Sequence, residues 1–212
     1  MLALATASSG TDNHVPAVSA CGDIWYDVDY DPPAPKSLDV LDSKVRQKLD
    51  GYLIERLGAG YASRLSLIGG QIINRKELRA KVPQSVDFKW RPPKYNLYFR
   101  FPVAAGADEF CASVQLDDDG TVLEPIGLPN LRVHPGRGVV ASASDAINVA
   151  KRNGVPIDKA TRRLYYFPDS DTIEYEFEFV KHDDGLNILY SQLHVLANDI
   201  TSIHWSESSA IR

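Results

Sequence analysis

TIEYEFEFV, Thr172 to Val180, alternates apolar and acidic side chains without a break. In an extended strand successive side chains point to opposite faces, so Ile173, Tyr175, Phe177 and Phe179 form one row and Glu174, Glu176 and Glu178 the other. The pattern predicts a half-buried strand with one row in a core and the other in water. An earlier stretch repeats the layout, with Tyr95, Leu97, Phe99, Phe101 and Val103 alternating with Asn96, Tyr98, Arg100 and Pro102. An amphipathic helix precedes each strand at a distance. Helix then alternating strands, twice over, makes the fold class α+β: two tandem units of one helix and an antiparallel sheet.

The first unit is expected over residues 37–131. Leu41, Val45, Leu49, Leu53 and Leu57 recur every fourth residue, opposite Lys44, Arg46, Lys48 and Glu55, which is the spacing of a one-sided helix. Ser37 or Asp39 is placed to cap its start and Gly58 to end it. A strand over Tyr61 to Ile68, a turn at Gly69-Gly70, a short helix over Lys76 to Lys81 and the strand Tyr95 to Val103 follow. Phe110 to Leu116 then turns at Asp117-Asp118-Asp119-Gly120 into Thr121 to Ile126. The second unit is expected over residues 139–207. Ser142 and Asp145 have capping-box spacing before the helical face Ala143, Ala146, Ile147 and Ala150. Strands over Thr161 to Phe167, Thr172 to Val180, Ile188 to Ala197 and Ile200 to Trp205 complete it, with Pro168 to Asp171 read as a hinge.

Residues 1–36 read as a disordered leader, stiffened by Pro32-Pro33-Ala34-Pro35. Leu2 to Ala7 is similar to the end of a secretory signal, and Val18-Ser19-Ala20-Cys21 to a lipoprotein cleavage box, so export to the periplasm or beyond is expected, with a cytoplasmic setting as the alternative. Cys21 and Cys111 are the two cysteines; a bridge between them requires the leader to fold back onto the sheet. The net charge of −5 over 212 residues argues against nucleic acid or an anionic membrane as partner. No run reaches the roughly 18 apolar residues of a membrane-spanning helix, so no integral membrane segment is expected.

The second unit carries a resemblance. Asp145 to Val155, the strand Arg163-Leu164-Tyr165-Tyr166, Tyr175-Glu176-Phe177 and Leu193-His194-Val195 before Ile200 resemble a PepSY-type domain over about Val140 to Trp205. Leu38 to Ile126 resembles a longer, divergent copy. Leu196 to Ile200 departs from the family's D-A-x-T-G ending, to which Asp117 to Val122 is closer. The resemblance implies a cystatin-like α+β arrangement and a module of the bacterial envelope or secreted proteins that binds, and in some cases inhibits, another protein. The cystatin inhibitory signature Q-x-V-x-G is absent, so cysteine-protease inhibition is not carried over.

No phosphate loop, dinucleotide fingerprint or nucleophile elbow occurs, so no catalytic residue, metal or cofactor is assigned and the chain reads as non-enzymatic. His194 and His204 fall on neighbouring strands, and with Glu174, Glu176 or Glu178 on one face they would suit a metal or acid–base site. The reading adopted for them is polar residues on the solvated side of a half-buried sheet. Asp117 to Asp119 reads as a turn that needs no calcium. Binding surfaces are expected at the acidic stripe Glu174, Glu176 and Glu178 and at Lys94 and Arg100 on the matching face of the first unit. The alternative is a small-ligand or catalytic pocket between helix and curved sheet, lined by Tyr165, Tyr190, His194 and His204.

Overall fold

The computed structural model describes residues 17–18, 21, 30–81, 92–103 and 109–211. The signal-like Leu2 to Ala7, Ser19 and Ala20 of the cleavage box, His14, Trp25, Tyr26 and Trp90 lie outside the described residues.

The fold is α+β. The first unit holds helix α1 (Ser43–Leu57), a single turn α2 (Ala59–Ala62), strand β2 (Ser66–Ile72), helix α3 (Arg75–Lys81) and strands β3 (Tyr95–Phe101), β4 (Phe110–Leu116) and β5 (Val122–Glu124). These strands form an antiparallel sheet in chain order. The second unit holds helix α4 (Ala143–Arg152) and strands β6 (Thr161–Phe167), β7 (Thr172–Asp183), β8 (Asn187–Leu196) and β9 (Ile203–Ile211), again antiparallel in chain order. Helix followed by a four-stranded meander therefore occurs twice. A short strand β1 (Ala17–Val18) from the leader adds to the outer edge of β6 in parallel.

The helices form where the spacing demands. Asp42 rather than Ser37 or Asp39 caps α1, accepting from the Lys44 amide at 2.8 Å, while Ser37 caps the separate 3-10 turn Leu38–Val40. Val45, Leu49, Leu53 and Leu57 are all buried, each contributing on the order of 1.5–3 kcal/mol of apolar burial. Gly58 ends the helix at φ 76°, a left-handed conformation that suits glycine. Ser142 caps α4 through the Asp145 amide at 3.1 Å, and Ala146, Val149 and Ala150 face inward.

Two expectations about the first sheet are corrected. Tyr61 lies in α2, not in a strand, and Gly69-Gly70 lies inside β2, not in a turn. The chain stays extended there by a bulge between Leu67 and Gly69. Gly70, at φ 138°, lies against the Asn96 carbonyl, where a side chain would collide with the backbone.

Buried side chains of both units form one continuous cluster, running from Val45, Leu49 and Leu53 through Leu97, Phe99 and Phe101 to Ile173, Tyr175 and Phe177. The described part of the leader also ties the sheets together. β1 lies on β6 of the second sheet, and Cys21 is disulfide-bonded to Cys111 on β4 of the first, with Cα atoms 5.5 Å apart. Further along, the Pro33 carbonyl accepts from the Ile72 amide at 2.9 Å. Among the described residues no helix is long and apolar enough to cross a membrane.

Candidate functional site

In the apolar row of β7, Ile173, Tyr175 and Phe177 are fully buried and Phe179 is half-buried against the core. The acidic row departs from its expectation. Glu174 is 2% exposed and Glu176 5%, so the stripe is not open to solvent. The cause is the neighbouring strands, whose long side chains lean across it. Arg163 on β6, opposite Glu176, pairs with Glu176 at 3.2 Å and Glu178 at 3.3 Å. The Tyr165 phenol donates a short hydrogen bond to Glu176, and Gln192 donates to Glu178 at 2.8 Å. Burial first, and then that hydrogen bond and the Glu176 charge, push the Tyr165 phenol above its ordinary range, which keeps it a neutral donor.

Glu174 is held differently. Its Oε1 accepts from Thr172 Oγ1 at 2.7 Å and from Ser170 Oγ at 3.4 Å. Its Oε2 has no hydrogen-bond partner, and neither has the buried Nδ1 of His194, 3.7 Å away. His204 Nε2 lies 3.8 Å from the same oxygen, and one ligand atom from each of the three residues falls within 4.8 Å of the others. The strands explain the meeting. His194 and His204 are directly opposite across β8 and β9, and their rings stack at 4.4 Å. Glu174 approaches from β7, although the residue directly opposite His194 is Glu176, which is turned away to Arg163 and Tyr165. Phe167 presses edge-on to His194 at 5.1 Å and closes one side. His204 is 52% exposed and leaves the other side open. Burial, with the charge of His204 adding to it, lowers the pKa of His194 below its ordinary value, against the opposing effect of Glu174.

Arg100 pairs with Glu109 at 3.6 Å, and Lys94 lies over the ring of its neighbour Tyr95. Of the expected pocket residues Tyr165, Tyr190, His194 and His204, Tyr165 lines a cavity of about 750 Å³ between the units, with Arg56, Cys111, Glu124, Arg163 and Tyr166. In the acidic turn, Arg75 holds Asp117 and Asp118 at 2.5 Å each, and Lys48 holds Asp119 at 3.1 Å, so protein cations neutralise it.

One residue read in the sequence only as part of a hinge is central to how the units join. Asp171, at φ 55°, accepts from the Asn130 amide at 3.1 Å, from Arg137 at 2.9 Å and from the Tyr166 hydroxyl at 2.9 Å, with Arg56 at 3.6 Å. The signal available was its place after Pro168 in a polar tetrapeptide, since aspartate tolerates the left-handed region better than most residues. No family model, curated protein or solved structure matches the chain.

Proposed function

We propose that the chain is a non-enzymatic, protein-binding module of the bacterial envelope or of secreted proteins. The observation that carries this reading is the far end of the second sheet. β7, β8 and β9 run on past the core, Val180 and Leu186 are exposed there, and Trp205 (46%) and Ile211 are exposed on β9. Among the described residues β9 pairs with β8 alone, so its outer edge offers backbone donors and acceptors for strand addition beside apolar anchors. The Cys21–Cys111 bridge supports an oxidising compartment, where disulfides persist. The PepSY-type resemblance of Val140 to Trp205 supports the same reading, and an inhibitory role within it. The test is capture from an envelope fraction by the full chain, by the double variant Trp205→Glu/Ile211→Glu, and by Val139→Glu as a control at an exposed apolar site elsewhere. A partner kept by the wild type and the control but lost by the double variant is expected; identical retention by all three contradicts the reading.

A second reading, small-ligand binding, is favoured by the inter-unit cavity. Its volume falls within the range of ligand sites, and Arg56, Arg163, Glu124 and Tyr166 bring charged and hydrogen-bonding groups to it. A thermal-shift screen with Arg163→Ala as control separates the two: a ligand that stabilises the wild type alone favours the cavity.

A further inference from the structure

We propose that Glu174, His194 and His204 form a binding site for a borderline divalent metal ion of the zinc class. The argument begins with hydrogen positions. Glu178 is a carboxylate that accepts from Gln192 Nε2, which fixes the Gln192 amide with Oε1 toward Ser206. Ser206 Oγ donates its only hydrogen to that Oε1 at 3.0 Å. At His194 Nε2, 2.8 Å away, Ser206 is then left to accept, so the Nε2 position carries the imidazole hydrogen. With that hydrogen on Nε2, the Nδ1 of a neutral His194 is a bare lone pair, and it has no hydrogen-bond partner. It faces the bare Oε2 of Glu174 across 3.7 Å, with both groups buried.

Two acceptors aimed at each other in a water-poor pocket are costly unless a cation lies between them. The surrounding bonds are those of a metal site. His194 donates its second ring nitrogen to an oriented acceptor, and Glu174 has its second oxygen held by Thr172, as ligating groups characteristically do. Two imidazoles and one carboxylate form a donor set suited to zinc and its neighbours rather than to calcium or magnesium. Zinc bonds of about 2.1 Å put tetrahedral ligands roughly 3.4 Å apart, so the two Glu174–histidine separations need to close by only a few tenths of an ångström. His204 must turn out of its parallel stack on His194 to aim Nε2 at the ion, which its half-exposed position permits. The fourth position then faces solvent.

This site stands on observations separate from the β9 edge, and neither reading falls with the other. Chelator-stripped full-length protein is titrated with Zn²⁺ by calorimetry and by competition with a chromophoric chelator. One ion per chain is expected. His204→Ala is expected to weaken binding by at least about tenfold, and Ser206→Ala, which removes the acceptor orienting His194, by about 10–100-fold. His182→Ala, at an exposed histidine on the β7 hairpin, is expected to bind as the wild type does. Circular dichroism on each variant checks folding, and His204→Ala keeps the test decisive because it removes an exposed side chain. Absence of saturable uptake by the wild type, unchanged affinity in His204→Ala, or loss of binding in His182→Ala would overturn the proposal.

Discussion

Asp171 and Glu174 lie three residues apart, and the chain treats their carboxylates in opposite ways. Asp171 collects a backbone amide from the first unit, a guanidinium from the segment between units and a phenol from β6, with a second guanidinium from α1 close by. Glu174 keeps two hydroxyls on one oxygen, while the other lies near two imidazole nitrogens without a hydrogen bond to either. A carboxylate whose work is to hold a fold together is surrounded by donors. One left half-coordinated in a buried position, with its neighbours oriented around it, is arranged for something the chain itself does not supply.

Stability measurements by chemical denaturation of metal-free protein give the sharpest contrast. Asp171→Ala is expected to have the largest effect, a loss of about 2–4 kcal/mol, because it strands Arg137, Tyr166 and the Asn130 amide at the junction between units. A loss below about 1 kcal/mol would show that the junction does not depend on this hub. Tyr166→Phe, which removes one donor to Asp171 and the hydroxyl that accepts from Arg56 at 3.0 Å, is expected to cost about 1 kcal/mol. Glu174→Gln is expected to run the other way, stabilising by up to about 1 kcal/mol, since the new amide can donate to His194 Nδ1. A clear destabilisation there would place Glu174 with Asp171 as a structural carboxylate. His204→Ala, at a half-exposed position, should stay within about 0.5 kcal/mol of the wild type.

The contrast also marks what could be read from residues alone. Period-four leucines located α1, and strict alternation located β7 and its inward face, because both depend on one element and its geometry. The burial of the opposite row depends on register: Arg163 lies opposite Glu176, and it and Tyr165 cover carboxylates that alternation assigned to water. The approach of His194 to His204 was legible from adjacent strands. That Glu174 joins them was not, because Glu176, directly opposite His194, is the nearer choice by pairing and is diverted by partners on β6. Gly69-Gly70 misled for a related reason: glycine marks both turns and close backbone approaches, and here β3 approaches β2. β9 begins at Ile203 rather than Ile200 because Asp199 folds Thr201 and Ser202 into a hydrogen-bonded turn.

The central claim, that Glu174 is kept for a metal ion and not for the fold, is tested most directly by one pair of unfolding curves, wild type and Glu174→Gln, each with and without Zn²⁺. Ligand binding to the folded state alone adds about 2.7 kcal/mol at a hundredfold excess over Kd. The account predicts a zinc-dependent rise in the wild-type midpoint and none in Glu174→Gln, although the variant begins as the more stable of the two without metal. Equal shifts in both proteins, or none in the wild type, would contradict it.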